Sequence, residues 1–206
     1  MKHLPAALCL VILSSIGLAA RADTPESMPV QALDAALLAT MKAGSANASF
    51  QSRYDALDPV VKASMNLPVI LQNSVGFLWS TLPAEQQSEL AIVFEQYTVA
   101  SYINGFSGYG GQKLELLPDE RDVGTKKIVE TQIVSPDGTA PVRLDYVLTN
   151  GDNGWQITDV LENATISQVA TQSSDFSALV SSGDASKLIA ALKAKVATLS
   201  GGVLKD

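Results

Sequence analysis

The sequence predicts an α+β fold: a twisted antiparallel sheet of about four strands covered by N-terminal and C-terminal helices. Three observations predict it. Apolar residues recur at three- and four-residue spacing up to about residue 103, alternate between residues 112 and 161, and return to helical spacing after about residue 166. Helices first, strands in the middle and helices last is the order of segregated layers rather than of alternating β-α-β units.

The elements follow in chain order. Leu33, Leu37 and Met41 share one face of a helix over Val30 to Lys42, with Gly44 ending it. A second helical piece covers Ala48 to Leu57, and Asp58-Pro59 has the form of a cap followed by a first-turn proline, which predicts a third helix to about Met65. Pro68 opens another, with Leu71, Val75 and Leu78 on one stripe. The longest helix runs from Pro83 to about Ile103: Pro83 and Glu85 suit a first turn, and Leu90, Phe94, Tyr97 and Ser101 recur along one side. The run from Gly105 to Gly111 breaks it. Strands are expected over Gln112 to Leu117, Lys126 to Val134, Val142 to Leu148 and Trp155 to Leu161. Pro136-Asp137-Gly138 and Asn150-Gly151-Asp152-Asn153-Gly154 are turn chemistry, so the last three strands form an antiparallel meander. Helices are expected again over Ile166 to Val180 and Asp184 to Leu199, the latter with Leu188, Leu192, Val196 and Leu199 as an apolar seam.

The first 22 residues carry Lys2, a mostly apolar run from Leu4 to Ala20, and an Ala20-Arg21-Ala22 exit, the pattern of a secretory signal peptide cleaved after Ala22. Residues 23–206 are then the working chain, 184 residues with 12 basic and 21 acidic side chains and a net charge of −9. Such a balance opposes binding to nucleic acid, whose affinity comes largely from cations on phosphates, and flat adsorption on anionic membranes. The only Cys and the only His, Cys9 and His3, leave with the leader. No disulfide is then available, and packing must hold the fold, which a chain of this length manages by burying roughly 70% of its unfolded surface.

The same loss removes the essential group from Ser-His-Asp hydrolysis, Cys proteolysis, thiol redox chemistry, His- or Cys-ligated zinc and c-type haem attachment. No cofactor or metal is expected. No Ser-x-x-Lys and no phosphate loop ending in Gly-Lys-Ser/Thr is present. The glycine run at 105–111 follows a helix and precedes a strand, the reverse of a phosphate-cradling loop, and is expected to be a connector. Asn150 to Gly154 offers oxygen ligands but lacks the bidentate acid of a calcium loop, so a hairpin turn is expected. Asp145 and Asp159 fall on neighbouring strands, where two acids can share acid-base work, or where they are surface acids or partners for Arg143 and Lys127. The sequons Asn47-Ala48-Ser49 and Asn163-Ala164-Thr165 matter only in a glycosylating pathway. Apolar and aromatic residues dominate the rest, on helices (Phe77, Leu78, Trp79, Phe94, Tyr97, Tyr102) and on strands (Val129, Ile133, Leu144, Tyr146, Ile157, Val160). They fill a plain core or line a hollow for an apolar ligand, and periodicity does not separate the two.

Ser74-Val75-Gly76-Phe77-Leu78-Trp79, Leu82-Pro83-Ala84-Glu85-Gln86-Gln87, Phe94-Glu95-Gln96-Tyr97 and Ser101-Tyr102 occur in an order that resembles the MlaC family, the toluene-tolerance auxiliary components. Pro141 to Tyr146 and Gly154 to Val160 resemble its sheet. Within the family, Tyr97 to Tyr102, Gly111-Gln112 and Thr165 to Ala170 are most similar to the HpnM branch associated with hopanoid biosynthesis. The resemblance spans nearly all of the chain after residue 22. It implies an NTF2-like, MlaC-like body with an added helical part over residues 23–206 and a periplasmic, non-enzymatic carrier of phospholipid or hopanoid-type lipid. It also implies exchange with an inner-membrane ABC transporter complex and an outer-membrane lipoprotein complex. Tyr102 matches a family tyrosine near the lipid tails, and Thr165 falls close to another lining position. Ala164 stands where the family usually has Gly. The expected lining is Leu78, Phe94, Tyr102, Val129, Leu144, Tyr146, Ile157, Val160 and Thr165.

Burying two tails of about 16 carbons is worth about 25 kcal/mol relative to water, at about 0.8 kcal/mol per methylene. Almost none of this is net gain, because the lipid leaves an equally apolar bilayer, so a carrier needs walls about as apolar as a membrane and no acid-base residues. Two other classes stay open from sequence: an enzyme using Asp145 or Asp159 on a similar sheet, and an adaptor of a membrane transport or hopanoid complex that carries no ligand.

Overall fold

The computed structural model describes residues 24–204; the expected signal peptide and its cleavage point lie outside the described residues. Six helices pack with a five-stranded antiparallel sheet in the described chain. The helices are α1 (Ser27–Ser45), α2 (Phe50–Ser64), α3 (Leu67–Val75), α4 (Ala84–Gly105), α5 (Gln168–Phe176) and α6 (Ser186–Leu199). The strands are β1 (Lys113–Val123), β2 (Lys126–Val134), β3 (Val142–Gly151), β4 (Gly154–Glu162) and β5 (Ile166–Ser167), hydrogen-bonded in sequence order. Every neighbouring pair is antiparallel. The segregated α+β order expected from periodicity is the order found, with a short fifth strand added to the expected four.

Turn chemistry sets the meander. Gly151 pairs with Gly154 across the two-residue link Asp152-Asn153, and Gly154 has φ of 79°, so the Asn150–Gly154 cluster is a hairpin turn. Asp137 accepts hydrogen bonds at Oδ1 from the Thr139 amide and hydroxyl, holding the turn between β2 and β3. β1 runs six residues beyond the expected end at Leu117 because it is an edge strand with a register shift between Leu116 and Glu120. Pro118 sits in that irregularity, where a missing amide breaks no ladder bond.

The expected break at Asp58-Pro59 is absent. Ser49 is the true cap, accepting from the Ser52 amide, and α2 runs through Pro59 to Ser64. Proline there removes the bond to the Asp55 carbonyl, but both residues are exposed, so water satisfies that oxygen, while Leu57 and Val61 stay buried on the other side. The helix opened by Pro68 stops at Val75, since Gly76 has φ of 71°. A 3-10 segment, Gly76–Thr81, then carries Leu78 off the Leu71–Val75 stripe. At the end of α1, a Cβ on Gly44 would stand 1.9 Å from the Ser107 carbonyl oxygen, so only glycine lets the loop after α4 pass. Ser45 secures that loop by accepting from the Tyr109 amide at 2.7 Å.

Alternation assigns the two faces of the sheet. Val129, Leu144, Tyr146, Leu148, Ile157 and Val160 face the helices, and Val129, Leu148 and Ile157 are fully buried there with Leu33, Leu37 and Phe94. The opposite face holds a ring of charges. Arg121 pairs with Glu130 and Asp145 at 2.6 Å each, and Arg143 pairs with the same two acids at 2.7 and 2.9 Å. Among the described residues no helix is long and apolar enough to cross a membrane.

Candidate functional site

The middle of the body is packed, but where α4 and α5 approach the far ends of β2, β3 and β4 the walls part. Two adjoining cavities lie there. The inner one, about 190 Å³, is walled by Met65, by Leu67 and Ile70 of α3, by Phe94, Tyr97, Thr98, Ser101 and Tyr102 of α4, and by Gln172 of α5. The outer one, about 310 Å³, is walled by Ile133 of β2, by Val142, Leu144 and Tyr146 of β3, by Val160 of β4, and by Asn163. They share Tyr102, Phe106, Glu162 and Gln168. The Tyr102 and Phe106 rings, with centroids 6.2 Å apart, form the partition. Each volume is at or below the low end of the roughly 300–1,000 Å³ range of small-molecule sites, and joining them across the partition puts the hollow inside that range.

The chain folds this way locally for identifiable reasons. Met65 interrupts helix between α2 and α3 and bridges to Ile157 of β4, and the Asn66 amide donates to the Ile157 carbonyl at 2.8 Å, which fixes Met65 under α4. Tyr102 donates to the Met65 sulfur at 3.6 Å. α5 is held against β4 by Asp159, whose Oδ1 accepts from the Val169 amide at 3.0 Å and whose Oδ2 accepts from the Ser167 hydroxyl. Ser74 of α3 donates to Gln172 of α5 at 2.9 Å, closing the inner end. The rim is at Glu162 and Asn163, both exposed, beside the half-exposed Val142.

Of the expected lining, Phe94, Tyr102, Leu144, Tyr146 and Val160 bound these two cavities. Val129 and Ile157 are instead sealed in the packed layer of the sheet, because the strands close on α1 and α2 at their level. Leu78 packs on the core from the 3-10 segment, and Thr165 is exposed in the turn beyond the rim. Sequence reading missed Met65, Phe106 and the polar rim of Glu162, Asn163 and Gln168. A sulfur between two helices and a phenylalanine after a helix end carry no periodic signal, and polar rim residues read as loop.

The carboxylates singled out from sequence do not form a catalytic pair. Asp145 is fully buried within the charge ring on the sheet's opposite face, and Asp159 holds the start of α5. Lys127 pairs with Asp122 at 2.6 Å and Glu26 at 3.5 Å, while Arg143 does pair with Asp145. A different acid is buried: Asp34 of α1, 5% exposed, accepts from the Tyr146 hydroxyl at 3.2 Å, and its second oxygen has no hydrogen-bond partner. Burial pushes its pKa up to about 7 against the opposing effect of that hydrogen bond. Burial first, and the Asp34 charge second, push both Tyr102 and Tyr146 up, so the phenols facing the hollow stay neutral. The walls therefore present mainly carbon, with sulfur, uncharged hydroxyls, the carboxamides of Gln168, Gln172 and Asn163 and, at the rim, the Glu162 carboxylate, a balance that suits an alkyl chain with a polar end.

Among solved structures, the chain resembles the phospholipid-binding protein from Ralstonia solanacearum, determined in complex with a phospholipid at 1.53 Å resolution. The TM-score is 0.72 at 22% identity, covering 84% of this chain and 98% of that one. That likeness is one of fold. The family model described as MlaC protein matches residues 31–194, from the first turns of α1 into α6 and across every element that walls the hollow, and the chain therefore belongs to the MlaC family.

Proposed function

We propose that the protein is a periplasmic lipid-binding and transfer protein, carrying phospholipid or hopanoid-type lipid between the inner and outer membranes with the hydrocarbon lodged between α4, α5 and the ends of β2–β4. One observation carries this reading: a hollow walled mainly by apolar and aromatic side chains, open at a polar rim and divided by the Tyr102 and Phe106 rings. Ring rotation at that partition joins the two compartments into one site for a tail. Family membership and the phospholipid held by the R. solanacearum relative support the same reading. On it, Phe94, Tyr102, Leu144, Tyr146 and Val160 touch the tail, Leu78, Val129 and Ile157 form the layer behind them, and Thr165 borders the entrance. Loading and unloading take place at an inner-membrane ABC transporter complex and an outer-membrane lipoprotein complex.

The test is native mass spectrometry of protein purified from the periplasm of its own host, with extraction of what it holds. A lipid adduct is expected. Protein recovered without lipid and refusing lipid from vesicles supports instead an adaptor that carries no ligand.

A further inference from the structure

The rim has an uneven charge. Glu162 borders both cavities and is the only residue with a formal charge among the residues that wall them; the other polar groups at the opening are the carboxamides of Asn163 and Gln168. No cation pairs with Glu162 among the described residues, and no lysine or arginine lines either cavity. Two cations on neighbouring elements are committed elsewhere. Arg143, on the strand beside the rim, is held on the opposite face by Glu130 and Asp145. Lys195 of α6 stands 5.8 Å over the Tyr97 ring and borders a separate, more open depression between α4 and α6.

The start of α5 lies at the same opening, and a helix start ordinarily attracts phosphate through its free amides. Here two of those donors are taken: Ser167 Oγ accepts from the Ala170 amide at 3.0 Å and Asp159 from the Val169 amide at 3.0 Å. An anion at this rim meets one unpaired carboxylate, the Asp159 carboxylate at the helix start, and no cation. An ammonium or a hydroxyl donor meets an acceptor.

Resting on the carrier reading above, we infer that Glu162 reads the polar end of the bound lipid and selects lipids that carry no net negative charge and end in an ammonium or other hydrogen-bond donor. The tails enter the hollow, the linkage stays at the rim, and the donor group reaches Glu162.

The experiment offers delipidated protein vesicles of phosphatidylcholine containing equal amounts of phosphatidylethanolamine and phosphatidylglycerol. The protein is then re-isolated and its bound lipids are counted by mass spectrometry. The expected ratio of ethanolamine to glycerol lipid is about threefold, the size of a partly exposed charge pair, and it shrinks as salt is raised. Glu162→Gln is expected to bring the ratio to about one, and Glu162→Lys to invert it. A wild-type ratio of one or below at normal occupancy, or a ratio that Glu162→Gln leaves in place, overturns the inference while leaving the carrier reading standing. No uptake of any lipid overturns both.

Discussion

Asp34 is the residue whose environment departs most from what its position in the sequence suggests. Set between Leu33 and Leu37, it reads as a polar interruption of an apolar face, yet it is buried with one oxygen unpartnered. A folded-state pKa of about 7 against an ordinary value of 3.8 has a definite sign. The folded protein keeps the proton that the unfolded chain releases, so stability falls as pH rises from about 4 to about 7 and stays reduced above that. The loss is about 4 kcal/mol at most, at 1.36 kcal/mol per unit. Asp34→Asn is therefore expected to be more stable than wild type at pH 8, with the difference shrinking toward pH 4; chemical denaturation at the two pH values measures it, and a constant difference contradicts the assignment. Ala164 offers a second test. Asn163 and Ala164 have φ of 50° and 63°, a left-handed pair at the rim where the family resemblance places Gly. Ala164→Gly relieves strain of about 1–2 kcal/mol against a gain in unfolded-chain freedom of about 0.4–1 kcal/mol. The net expectation is stabilisation of up to about 1.6 kcal/mol, read as a higher urea midpoint.

At the scale of elements, legibility followed how local the signal was. α4, the hairpin turns and the three-strand meander are written in residues within a few positions of one another, and the structure has them within three residues of the expected ends. α2 misled because Asp58-Pro59 carries the residue types of a helix start, and what overrides them is packing of Leu57 and Val61 from a distance. β1 outran its expected end because tolerance for Pro118 depends on the strand lying at the sheet edge, a fact of topology. The expected helix at Ile166 begins two residues later, since Ile166 and Ser167 first pair with Glu162 and Leu161 of β4. The attachment of α5 at that point rests on Asp159. Asp159→Ala removes the acceptor for the Val169 amide and for the Ser167 hydroxyl, and is expected to lower stability by about 1–2 kcal/mol. Hydrogen exchange across 168–176 should speed up more than exchange in α6; uniform acceleration contradicts a local role.

The whole molecule separates its two kinds of interior. The centre, where the sheet meets α1 and α2, is packed and needs no ligand, and the charge ring on the other face of the sheet lies away from the hollow. The hollow sits at one end, between elements distant in sequence. Its existence was not legible from periodicity, because a filled seam and a hollow one require the same apolar face on α4 and on β3. Five of the nine residues expected to line it bound the two cavities, the ones at the β2–β4 end; Val129 and Ile157 have the same chemistry but lie where the layers close. Leu144→Asp puts a charge into the outer cavity and, in a protein whose circular dichroism is unchanged, is expected to reduce bound lipid at least tenfold. The most direct measurement uses a phospholipid with a photoreactive group at the end of one tail, loaded into the wild-type protein and irradiated, with the adducts located by peptide mapping. Attachment to Phe94, Tyr102, Phe106, Leu144 or Val160 is the predicted result. Attachment confined to the opposite face of the sheet or to α6, or no attachment from protein incubated with excess lipid, contradicts a hydrocarbon-filled hollow between α4, α5 and the sheet.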